Sequence, residues 1–205
     1  MPLEEYRKKR NFSETREPRG RIRRVLRFGH RFVVQKHDAT NLHYDFRLEI
    51  GGVLVSWAVP KGPSLNPADK RLAMRTEDHP LEYADFEGVI PEGAYGAGTV
   101  MVWDAGAYDT PEGEPPAEQQ LARGEVKVTL HGTKLEGGFV LIHTGKRSTN
   151  PSQRKRWLLI KHRDEYARSS SDIGKGRLDY SAASGRTLAE IAAGKPAGKR
   201  KTSAV

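Results

Sequence analysis

Two histidines, an aspartate and an arginine lie close enough in this chain to act together. His43, Asp45 and Arg47 alternate with Tyr44, Phe46 and Leu48 in a segment whose apolar residues recur at every second position. In a strand, residues two apart share a face, so the three polar side chains line one surface over roughly 13 Å. The turn Asp38-Ala39-Thr40-Asn41 separates them from a preceding run that ends in His37. Folding back there brings His37 beside His43. Two imidazoles and a carboxylate suit a divalent cation such as Mn²⁺ or Zn²⁺, with water or a phosphate oxygen completing the shell. Arg47 offers a planar fork of donors matched to phosphate. The plainer alternative is a solvated strand face on which Asp45 and Arg47 form a surface pair worth little. His37 across the turn favours the metal.

Short strands must hold this face. Residues 31–37, 42–50 and 53–59 read as strands, with Gly51-Gly52 as a two-residue hairpin turn between the last two. That turn sets Ile50 opposite Val53, Arg47 opposite Ser56 and Asp45 opposite Ala58, so small residues border the ligand face. Phe46, Leu48 and Trp57 then point to the core. Further strands are predicted at 72–75, 99–103, 125–130, 138–143 and 157–161. Residues 104–119 read as an acidic surface excursion, 146–156 as a basic polar loop and 162–184 as a loose end to the body. Short helices are expected within 1–11 and from Thr187, where Glu190 completes a capping box. Many short strands with few helical periods define a mainly β fold, a single antiparallel barrel-like domain with short peripheral helices and loops. The glycines of 88–98 match neither nucleotide-binding motif.

Charge divides the 205 residues into three parts. Residues 1–31 carry eleven Lys/Arg against four Asp/Glu and residues 185–205 five against one, whereas the net for the whole chain is +9. The body, 32–184, is therefore nearly neutral, flanked by a basic N-terminal arm and a basic C-terminal tail or linker. Such arms suit a polyanion, and nucleic acid is the natural one, although basic termini also serve solubility. Cysteine is absent, which excludes disulfides and thiolate metal sites. No apolar run of membrane-spanning length or signal peptide is visible, so a cytoplasmic location and no membrane partner are expected.

Other candidates have two readings each. His79, before Pro80, is either functional or a loop histidine held by Asp78. Lys61, Arg71 and Arg75 either line a phosphate pocket or are solvated. Tyr83, Tyr95, Trp103 and Trp157 either stack on bases or pack in the core or at its rim. His30, His131, His143 and His162 have no comparable partners nearby and read as structural or surface residues.

The stretches 32–49, Ser56-Trp57-Ala58-Val59-Pro60-Lys61-Gly62-Pro63, Glu77-Asp78-His79-Pro80-Leu81-Glu82-Tyr83, 86–100 and Trp157-Leu158-Leu159-Ile160-Lys161-His162 carry a resemblance. Across residues 29–166 the chain resembles the 3′-phosphoesterase domain of bacterial DNA ligase D, the end-joining repair ligase, and its stand-alone relatives. The resemblance implies a barrel-like fold and removal of 3′-phosphates and 3′-terminal ribonucleosides from DNA primer-template ends. It implies dependence on Mn²⁺, with Co²⁺ or Zn²⁺ as substitutes, held by His37, His43 and Asp45. Arg47 and His79 correspond to phosphate-contacting residues, with Gln35, Lys61, Arg71 and Tyr83 in supporting places. Implied partners are DNA ends, an end-joining ligase, a polymerase and Ku, for a monomer associated with a bacterial or archaeal nucleoid. The sequence holds neither the polymerase nor the ATP-dependent ligase domain, so either a separate protein or a piece of a longer chain is compatible with it. Two other classes fit less of the sequence: a non-catalytic module gripping DNA ends, and a metal-bearing sugar or small-molecule isomerase, which leaves the basic arms unexplained.

Overall fold

The computed structural model describes residues 3–20, 30–169 and 176–197. Strands form where β-branched and aromatic residues alternate with polar ones. They are β1 (His30–Asp38), β2 (Leu42–Ile50), β3 (Val53–Val59), β4 (Arg71–Arg75), β5 (Gly88–Ile90), β6 (Gly98–Asp109), β7 (Glu125–Gly132), β8 (Glu136–His143) and β9 (Arg156–Lys161). Neighbours run antiparallel in the order β1-β2-β3-β4-β9-β8-β7-β6, and β1 pairs with β6 to close the ring. The expected antiparallel barrel is thus a closed one, with β5 added along part of β6.

The β2–β3 hairpin sets the register of the site. Gly51 and Gly52 take φ of +61° and +80°, the left-handed values a two-residue turn needs to match strand twist. Arg47 consequently pairs with Ser56 and Asp45 with Ala58, as the pattern predicts. A slip of one residue would turn the polar face into the core.

Inside the barrel, Phe32, Val34, Phe46, Leu48, Val55, Trp57, Met101 and Trp103 pack as one core. The outer face of β2 is not solvated either: Asp45 and Arg47 are only 7% and 2% exposed. Its cover comes from a 3₁₀ turn at Leu81–Asp85 and from residues 3–20, which include α1 (Glu4–Lys8). Tyr6, Val33, Leu54, Tyr83, Ala84 and Val102 form a second apolar cluster there, with Phe12 packed against it. Part of the segment that charge alone assigns to an arm is therefore packed on the barrel.

Residues 104–119 differ from expectation. Strand β6 continues to Asp109, with Asp104 and Tyr108 fully buried. Only then does the chain leave the barrel, returning through α2 (Ala117–Arg123). Asp104 tolerates the interior because its carboxylate accepts the backbone N–H groups of Thr133, Lys134 and Leu135. Gly106 marks close strand approach rather than a loop, since a Cβ there would meet His131 O at 2.0 Å.

The end of the body is held more firmly than its composition implies. Trp103 Nε1 donates to Leu178 O over 3.0 Å, Lys36 Nζ pairs with Asp179, and Ala182 N donates to Val102 O at 2.8 Å. Lys134 Nζ donates to the carbonyls of Trp103 and Tyr180. Helix α3 (Leu188–Ala192) begins at Thr187 with the predicted Glu190 capping box. Among the described residues, no helix is long and apolar enough to cross a membrane.

Candidate metal centre and phosphate pocket

His37 and His43 face each other directly across the β1–β2 ladder, with ring centroids 4.8 Å apart. Asp45, one strand step along, lies 3.8 Å from His37 Nδ1 and 3.8 Å from His43 Nε2. The donor atoms of all three lie within 4.8 Å of one another. His43 Nδ1 donates to Asn41 O over 2.8 Å, which leaves the Nε2 lone pair on the side of Asp45. His37 Nε2 is buried without a hydrogen-bond partner. An orphaned imidazole nitrogen, an oriented second imidazole and a carboxylate fit a divalent cation. Burial works against ionisation of Asp45, yet the Arg47 guanidinium and the two imidazoles hold its carboxyl well below the usual carboxylate range.

Arg47 joins this centre to its neighbour. Its Nη2 donates to Asp45 Oδ2 at 3.0 Å, Nε to Gln35 Oε1 at 2.8 Å and Nη1 to Ser56 Oγ at 2.8 Å. Gln35 Nε2 donates in turn to the carbonyls of Tyr83 and Phe86. The fork is thus fixed before any ligand arrives.

His79 sits beside Arg47, held there because Leu54 and His79 exchange backbone hydrogen bonds. Asp78, considered as its holder, pairs with Arg75 instead. His79 Nδ1 donates to Glu77 O at 2.9 Å, while Nε2 accepts from Arg10 Nη2 at 3.2 Å. Arg47 Nη1 also lies 2.9 Å from Nδ1. A neutral imidazole has one lone pair, so it cannot accept from both guanidinia. Burial, then Arg47 and Arg10, push the His79 pKa well below its ordinary value, so the ring is neutral at pH 7. Tyr83 packs its ring 4.7 Å from His79 and under Arg47, and burial keeps its phenol protonated.

These groups line one open cleft of about 260 Å³. Of the residues singled out in the sequence, it gathers His37, His43, Asp45, Arg47, His79 and Tyr83, and Gln35 supports it from behind. Lys61 and Arg71 do not line it; Lys61 is exposed just past β3, and Arg71 pairs with Asp69. Trp103 and Trp157 are core residues, whereas Tyr95 lies half-exposed at the cleft. His30 stacks on Tyr108, His143 stacks on Trp157 and His131 meets Asp109. Arg10 is the participant that composition concealed. It lies over the Tyr6 ring and pairs with Glu17 and Glu77, nearly without exposure. The only local sign of it is the apolar pair Tyr6 and Phe12 within a charged segment.

A barrel that sets a candidate nitrogen–oxygen ligand set beside two guanidinia suits a metal-dependent phosphoesterase. Residues 35–143 match the DNA ligase D 3′-phosphoesterase domain, and the chain belongs to that family. Its function is therefore metal-dependent processing of 3′ ends. The chain is 53% identical over 190 residues to the multifunctional non-homologous end joining protein LigD of Pseudomonas aeruginosa, covering 91% of this chain and 22% of that protein. It is 51% identical over 142 residues to the LigD repair protein of Mycobacterium tuberculosis, covering 69% and 18%. Against LigD of Mycolicibacterium smegmatis, identity is 43% over 166 residues, covering 80% and 21%. The chain thus spans about a fifth of the length of these relatives.

Proposed function

We propose that this chain removes 3′-phosphates and 3′-terminal ribonucleosides from DNA primer-template ends, leaving 3′-hydroxyls, with Mn²⁺ as the preferred cation. The observation that carries the reading is Arg47, whose guanidinium touches both the metal-ligand carboxylate and the His79 ring. A phosphate in the cleft meets metal-ligand and anion-binding groups at once.

When bound by His37, His43 and Asp45, the cation supplies Lewis-acid polarisation of a phosphate oxygen. Arg47 and Arg10 offset charge that develops on the remaining oxygens. His79, neutral and acting as acceptor for Arg10, positions that guanidinium, and it carries no proton toward the cleft. Gln35 and Tyr83 keep Arg47 and His79 in place, while Lys61 and Arg71 are supporting positions by family resemblance alone. Basic residues of 1–31 and 185–205 add affinity for the DNA backbone; those at 21–29 and 198–205 lie outside the described residues. The end-joining role in the names of the relatives motivates partners of that kind (a ligase, a polymerase and Ku) for a monomer in the bacterial or archaeal cytoplasm, at the nucleoid.

The test is turnover by purified protein of primer-templates ending in a 3′-phosphate or a ribonucleotide, with Mn²⁺, Co²⁺ or Zn²⁺ added after chelation. Release of phosphate and nucleoside, fastest with Mn²⁺, is the expected result. DNA binding without release from either end would overturn catalysis and leave an end-gripping module.

A further inference from the structure

The basic loop between β8 and β9 has no part in the cleft, yet the sheet register ties it to the metal centre. Asp45 pairs with Ala58, Ala58 with Met74, and Met74 with Arg156. These residues form one row across β2, β3, β4 and β9. Paired residues on adjacent strands project from the same face of a sheet, so Arg156, like Asp45, projects to the outside of the barrel. Three strand spacings separate them, about 14 Å measured around the curved barrel wall.

The direction of the strands places the rest of the loop. From Met74, β4 leads toward Thr76, whose N–H donates to Ser56 O in the Arg47 row. The same direction on antiparallel β9 runs from Arg156 back into residues 145–155. The loop therefore extends on the Arg47 side of the metal centre. Lys146, Arg147, Arg154, Lys155 and Arg156 are all exposed, and no acidic residue occurs among residues 144–161. None of the five forms an ion pair among the described residues. Five exposed cations without an ion-pair partner among the described residues, in one short stretch of chain, suit a polyanion.

We propose that the 145–156 loop and Arg156 form a duplex-binding track for the DNA backbone behind the 3′ end. The inference rests on the proposed DNA-end activity for its substrate, but its test reads binding separately. The side chains of Arg147, Lys155 and Arg156 are exposed and make no hydrogen bond among the described residues. The combined R147A/K155A/R156A variant should therefore keep the fold, checked by circular dichroism. A K70A/R163A variant removes exposed cations from the opposite ends of β4 and β9 as a control.

Fluorescence anisotropy on a chelated 24-base-pair duplex, titrated with salt, is the first measurement. The triple variant should flatten the log–log salt slope by about 0.9 for each phosphate it no longer neutralises, up to roughly 2.7, while the control variant leaves it close to wild type. Turnover is the second. Here KM for a 3′-phosphorylated duplex should rise at least fivefold with kcat unchanged, whereas a 3′-phosphorylated dinucleotide, too short to reach the loop, should be hydrolysed equally by variant and wild type. An unchanged slope, an equal loss in the control, or the same turnover loss on the dinucleotide would each overturn the track. If the wild type hydrolyses neither substrate, the activity reading fails, and the anisotropy result still decides the track.

Discussion

Arg10 and His79 are 69 positions apart in the chain, and they meet at 3.2 Å with the arginine donating to Nε2. With Arg47 on the other side of the ring, two guanidinia compete for one imidazole lone pair. In the proposed function, an anion in the cleft accepts from both. Arg10→Ala should therefore lower 3′-phosphate release by more than tenfold without weakening metal binding, measured by calorimetry. Arg10→Lys should recover little, because an ammonium lacks the planar fork. Equal activity of wild type and Arg10→Ala would show that the packed N-terminal segment is only structural.

Alanine at His37, His43 or Asp45 should each abolish turnover and reduce cation affinity. The far-ultraviolet spectrum should be retained, since the barrel core lies on the opposite face of these strands. Near-normal activity of Asp45→Ala at limiting metal would remove it from the ligand set.

Arg47→Ala strands the buried Asp45 carboxylate, and removing one member of a buried pair costs about 3–5 kcal/mol. A bound cation offsets the same negative charge. Urea unfolding should thus show a larger loss in chelator than in saturating Mn²⁺. A loss of equal size in both would mean that Asp45 does not face the cation. Arg47→Ala and His79→Ala should still bind metal while losing more than tenfold in phosphate release.

Asp104 sets a pH dependence remote from the cleft. Burial pushes its carboxyl up to about 6, against the pull of three backbone N–H donors and Lys134. An acid whose pKa is raised by folding binds more protons in the native state. Its contribution is therefore full below the unfolded value near 4 and is lost as pH rises through 6. From pH 4 to 7 this group should lower unfolding free energy by up to about 3 kcal/mol, at 1.36 kcal/mol per unit. Asp104→Asn should lack that slope, so the difference between wild-type and variant stability should fall by this amount from pH 4 to 7; parallel curves would refute the assignment.

Much of the candidate metal centre's geometry was legible before folding was considered, because strand chemistry is local. Alternation put His43, Asp45 and Arg47 on one face, a four-residue turn returned His37 to it, and Gly51-Gly52 set the opposing register. Closure of the barrel was visible only as a class of fold, since the pairing of β1 with β6 joins segments distant in sequence. The acidic stretch after Trp103 misled for a related reason. Asp104 is acceptable inside only because a different turn delivers three N–H groups to it. Likewise, charge marked residues 3–20 as part of a basic arm, while burial of Tyr6 beside Tyr83 carries Arg10 to His79. Periodicity and turn residues act over a few positions and can be read along the chain. Long-range packing and the neutralisation of buried charge depend on which distant groups meet, and only the tertiary structure decides that.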